Sequence, residues 1–156
     1  MKLLITTIAA VVLVGCGNPE ANRALVKAAI DGNIEAAKQG IADGADVDAK
    51  GKAGSTALLW AITFSNTEVA ELLIAKDADV NTRGPLFGIT PLHAAASEDL
   101  KEIAELLISK NVNVNAKTDD GTTSLDMAIG DKHPETADLL RKHGGKTGEE
   151  LKAEGK

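Results

Sequence analysis

Three short stretches constrain everything else about this chain: Gly54-Ser55-Thr56-Ala57-Leu58, Gly88-Ile89-Thr90-Pro91-Leu92 and Gly121-Thr122-Thr123-Ser124-Leu125, whose glycines lie 34 and 33 residues apart. Fourteen residues after each glycine stands a glutamate (Glu68, Glu102, Glu135), and a further copy starting at Ala21 puts Glu35 at the same offset. The stretches EAAKQGI, EVAELLI, EIAELLI and ETADLLR follow this period. The first three copies end alike, in ADVDAK (45–50), ADVNTR (78–83) and VNVNAK (112–117). A period of this length marks a unit that cannot bury its own apolar face and must stack on its neighbours.

The apolar spacing says what each unit is. Leu58, Ala61 and Ile62 fall at i, i+3 and i+4, as do Leu92, Ala95, Ala96 and Leu125, Ala128, Ile129. That is one face of a short helix. Val69, Leu72, Leu73 and Ile103, Leu106, Leu107 mark a second helix in each unit, and the Gly, Asp and Asn between units supply turns.

The pattern resembles the ankyrin repeat over residues 21 to about 146, with the T-P-L-H-x-A motif present as Thr90-Pro91-Leu92-His93-Ala94-Ala95. The first copy (ANRALVKAA) and the fourth (TSLDMA) depart from it, as end units with one face toward water do. The resemblance implies an all-α solenoid of four stacked helix-turn-helix repeats joined by finger loops. The repeats are expected at 21–53, 54–87, 88–120 and 121–146, followed by a charged tail, 147–156. That tail reads either as one more helical turn over the last repeat or as frayed chain, and a partial helix is expected.

The chain opens differently. Lys2 precedes an uncharged, mostly apolar run from Leu3 to Val14, which is shorter than the roughly 20 residues of a spanning helix. Residues 1–15 therefore read as a secretory signal. Its end, Leu13-Val14-Gly15-Cys16, resembles the lipobox of bacterial lipoproteins, which implies cleavage before Cys16 and acylation of that residue. Residues 16–20 are then a lipidated cysteine and a short tether. Gly17, rather than aspartate, after the cysteine suggests the outer membrane facing the periplasm; the outer face of the cytoplasmic membrane is the alternative.

Composition narrows the function. A formal charge of −6 argues against nucleic acid, since phosphate binding needs a basic face. One cysteine excludes an internal disulfide framework. His133 and His143 lack metal-ligand spacing. Asp46-x-Asp48-x-Lys50 resembles the start of a calcium loop, but lysine at its fifth position and Ala57 at its twelfth argue against calcium. His93 is implied by the resemblance to be structural. No nucleophile pair or phosphate loop is present, so neither an enzymatic activity nor a cofactor is expected.

What remains is the aromatic side chains: Trp60, Phe64 and Phe87, with no tyrosine. The resemblance implies that partners meet the fingers and first helices, and all three aromatics fall on such positions. Repeat two contributes Lys52, Ala53, Ser55, Trp60, Thr63 and Phe64 to this set. Repeat three adds Leu86, Phe87, Ile89, Ala94, Ser97 and Glu98, and repeat four Asp119, Asp120, Thr122, Met127, Gly130 and Asp131. The finger carrying Arg83-Gly84-Pro85-Leu86-Phe87 is one residue longer than the others.

The expected anchor is Trp60, Phe64, Phe87 and Ile89, with Leu86 and Met127 among the further partner-binding residues and Asp119, Asp120 and Asp131 favouring a basic partner surface. Trp60 and Phe64, four residues apart, equally fit two rings packed on each other and on the longer finger. The expected protein is a monomeric, membrane-tethered module that binds another protein. An inhibitor or immunity protein masking an envelope-acting toxin or enzyme, and a spacer with no dedicated partner, are the alternatives.

Overall fold

The computed structural model describes residues 17–155, and among them are helices and two isolated bridges, with no strand longer than a bridge. Residues 1–15, read above as a signal, and Cys16 lie outside the described residues. Helices come in pairs: α1 (Pro19–Asp31) with α2 (Ile34–Ala42), α3 (Ala57–Thr63) with α4 (Thr67–Ala75), α5 (Pro91–Ser97) with α6 (Lys101–Ser109), and α7 (Ser124–Gly130) with α8 (Pro134–Lys142). A short α9 (Gly148–Ala153) follows, so the tail does form a helical turn. First helices pack on first helices (α1 on α3, α3 on α5, α5 on α7) and second on second, which is the nearest-neighbour stack of an all-α solenoid.

Each first helix after α1 starts on a threonine. Thr56, Thr90 and Thr123 sit in extended backbone as N-caps, and Thr147 does the same for α9. The hydroxyls of Thr56, Thr123 and Thr147 accept from N–H groups of the helix's first turn, as Thr56 Oγ1 does from Leu59 N at 3.3 Å, whereas the Thr90 hydroxyl lies 2.7 Å from His93 Nδ1. Helices of seven residues are unstable alone; packing holds them. Leu58, Ile62, Leu73, Leu92, Ile103, Leu107, Leu125 and Leu140 are buried, and Ala28, Ala61, Ala95 and Ala128 between them let the helices approach closely. Burying each leucine or isoleucine is worth about 1.5–3 kcal/mol.

α1 begins at Pro19, inside the segment 16–20 read as tether. Asn18 Oδ1 accepts from Glu20 N at 3.0 Å, and proline suits the first turn because it has no N–H to leave unpaired. Residue 17 is the one described residue before this cap.

A line of side-chain-to-backbone hydrogen bonds runs through the ADVD-type segments. Asn22 accepts from Asp46 N at 2.8 Å, Asp46 from Asp48 N at 3.0 Å, and Asp48 from Asp79 N at 2.8 Å. Asp79 accepts from Asn81 N at 2.9 Å, Asn81 from Asn113 N at 2.9 Å, and Asn113 from Asn115 N at 3.1 Å. Asn115 accepts from Lys146 N at 2.8 Å and so ties the last helix into the line. The carboxylates of Asp46 and Asp48 thus hold backbone N–H groups of their own and the next repeat.

Candidate functional site

Three fingers join the repeats. Two close with a bond across four residues, Gly51 N to Ser55 O at 3.0 Å and Thr118 N to Thr122 O at 2.9 Å. The middle one closes across five, Gly84 N to Ile89 O at 2.7 Å. The shorter fingers each turn on one left-handed glycine, Gly54 (φ 81°) or Gly121 (φ 88°), whereas the longer one turns on Phe87 (φ 60°) and Gly88 (φ 64°) together. Phe87 is therefore the added residue, and a bulky side chain in left-handed backbone is rare.

The neighbours hold that turn in place. Asp119 N donates to Phe87 O at 2.9 Å. Arg83 reaches under Gly88 and donates to Lys117 O at 2.7 Å and to Asp119 Oδ1 at 2.9 Å. Gly88 takes φ 64°, which favours glycine, and a Cβ there would push aside the Arg83 guanidinium and the Asp119 carboxylate. Pro85 packs beside Gly54 of the preceding finger, where an added Cβ would sit 3.2 Å away. On this braced scaffold Leu86 and Phe87 stand out, 72% and 70% exposed.

Trp60 and Phe64 stack, their centroids 5.8 Å apart and planes 23° from parallel. Trp60 is half-buried against the core, with its indole nitrogen near Gly51 of the first finger; Phe64 is 51% exposed. The rings pack on each other, as the packing expectation had it, and Phe64 still faces outward. Phe87 makes no ring contact with either among the described residues. Ile89 and Met127 are half-buried against the core.

The three aspartates differ in how free they are. Asp119 is exposed, but its carboxylate is paired with Arg83. Asp120 accepts from the Thr118 hydroxyl and from Thr122 N at 3.1 Å, and these bonds to the charged form hold its pKa at about 2. Asp131 accepts from Ser97 Oγ at 2.9 Å and remains exposed. Arg83 was missing from the sequence-derived set because its partner lies 36 residues away. Glu98, by contrast, stands exposed with no ion pair or side-chain hydrogen bond on its carboxylate among the described residues.

His93 is fully buried. Thr90 N donates to its Nδ1 at 3.3 Å, which leaves the proton on Nε2, 3.2 Å from the Thr122 carbonyl. Burial pushes its pKa below the ordinary histidine value, so the ring is neutral and acts as a brace between repeats. Asp126 occupies the equivalent place in the fourth repeat, and its Oδ2 accepts from Thr123 N at 2.9 Å and Gly148 N at 2.7 Å. Among the described residues no group of three His, Cys, Asp or Glu side chains is placed to hold a metal, and no helix is long and apolar enough to cross a membrane.

A family model described as ankyrin repeats (three copies) matches residues 2–84 and 81–150. No curated protein matches the chain.

Proposed function

Since the chain belongs to the ankyrin-repeat family, whose arrays are protein–protein interaction modules, we propose that it holds a protein partner in the bacterial envelope while tethered by lipid at Cys16. One observation carries the binding face: of the five large apolar side chains left exposed among the described residues, Phe64, Leu86 and Phe87 belong to the second repeat and the finger that follows it. Large apolar groups held outward in this way are what recognition surfaces carry. Trp60 stacks on Phe64, while Ile89 and Met127 are half-buried against the core.

Site-specific photo-crosslinking in the native host tests this face. A crosslinker in place of Leu86 should give a discrete protein adduct that the same group in place of Ser109, at the end of α6, does not. Equal adducts from both positions would remove the face. Metabolic labelling with an alkynyl fatty acid tests the tether: label on the wild type that is lost in Cys16→Ser supports it, and an unlabelled wild type refutes it.

A further inference from the structure

The partner's chemistry can be read from what surrounds the exposed rings. Asp31, Phe64, Glu98 and Asp131 occupy one equivalent position, each two residues before the N-cap of the following helix (Asn33, Asn66, Leu100, His133). Hydrogen bonds across repeats keep this row together: Asn66 donates to Ala29 O at 2.8 Å and to Ile30 O at 3.0 Å, and Ser97 donates to Asp131. Three positions carry acids, and the second carries the exposed ring.

The acids are unevenly compensated. Among the described residues Asp31 pairs with Lys27, but Glu98 has no counter-charge and Asp131 has only a hydroxyl. Phe64, Glu98 and Asp131 cap the C-termini of α3, α5 and α7, none of which has a basic residue in its last turn. Helix C-termini already expose carbonyl oxygens, so the carboxylates add negative charge to a negative end. Lys132, beside Asp131, lines a separate groove with Ile129, His133 and Pro134. At the other edge of the rings, the first finger offers exposed Lys50 and Lys52. The exposed charge beyond the rings is thus acidic, in Glu98 and Asp131, while before them Asp31 is paired with Lys27 and the first finger carries Lys50 and Lys52.

We propose that this face takes a segment of a partner protein consisting of an apolar anchor with an arm of lysines or arginines on one side. The anchor lies against Phe64, Leu86 and Phe87, and the arm runs over Glu98 and Asp131. The proposal rests on the face named above and specifies what it recognises; opposite potentials give such a contact its selectivity.

The test uses the full mature chain and two synthetic peptides with the same Leu-Phe centre, one with a lysine arm and one with a glutamate arm. Trp60 is the one tryptophan, so its fluorescence reports binding at the face. The lysine-armed peptide should bind about tenfold more tightly than its counterpart. Glu98→Lys with Asp131→Lys should erase or invert that ratio, and Lys52→Glu should raise it, with circular dichroism confirming that each variant is folded. Equal binding of both peptides, binding of neither, or a ratio unmoved by the folded charge reversals overturns this chemistry. The crosslink from position 86 decides separately whether the face itself is used.

Discussion

Asp119 holds the longer finger at two points, its amide donating to the Phe87 carbonyl at 2.9 Å and its carboxylate accepting from Arg83 at 2.9 Å. The exposed phenyl ring is thus presented on backbone that the next repeat fixes. A left-handed conformation disfavours any side chain by about 1–2 kcal/mol, so something outside the finger has to hold it.

Phe87→Gly separates presentation from stability. The ring is mostly exposed, and glycine accepts φ 60° without strain. Urea melts should show stability unchanged or raised by up to about 1 kcal/mol, while partner binding falls. A loss above about 1 kcal/mol would instead make Phe87 a packing residue.

Asn81 tests the line of bonds through the repeats. Asn81→Ala strands the Asn113 N–H, which Asn81 Oδ1 now accepts at 2.9 Å. The cost expected from chemical denaturation is about 1 kcal/mol. Asn81→Asp keeps the acceptor and should be nearly neutral, as aspartate already does this work at Asp48.

Ser124 has the one buried side-chain oxygen without a hydrogen-bond partner among the described residues. Ala57 and Pro91 stand at the same helical position in the two preceding repeats. Ser124→Ala should therefore stabilise the fourth repeat by about 1 kcal/mol, read as a higher urea midpoint at constant m-value.

Protonation of His93 should destabilise the array. Its folded pKa lies below the unfolded value near 6.5 because burial disfavours the charged ring. Above about pH 6.5 the histidine is neutral in both states and its contribution is complete. As pH falls from there through the folded pKa, the unfolded chain takes up a proton first and stability is lost. His93→Leu, the type found at equivalent Leu59, should be less stable at pH 8 but show a smaller fall between pH 7 and 5 than the wild type. Equal falls in both proteins would exclude His93 as the group responsible.

The fold was legible because its determinants are local and repeated. Thr56, Thr90 and Thr123 recur with the apolar i, i+3, i+4 sets behind them, and each copy confirms the others. Phe64 and Phe87 stood out as departures from an aliphatic pattern, and both are exposed. The pairing of Asp119 with Arg83 was not legible, since nothing in either residue's surroundings points to a partner a repeat away. The same holds for the Asp and Asn side chains, whose recurrence was visible while their acceptor roles across repeats were not. Phe87 could be placed in the longer finger, but its left-handed backbone follows from how that finger closes. Pro19 and Glu20 were read as tether because the repeat starts at Ala21, and the cap at Asn18 extends the helix past the repeat's own edge.

The central claim is that the finger-and-first-helix face recognises a protein. The most direct measurement is affinity capture from the host's envelope extract with a chain starting at Asn18 beside its Phe64→Ser/Phe87→Gly variant. These side chains are mostly exposed, so the variant should stay folded, as thermal melts can verify. The expected result is a protein retained by the wild type and lost by the folded variant, and the same protein in the position-86 crosslink. Retention of the same proteins in equal amounts by both would contradict the claim.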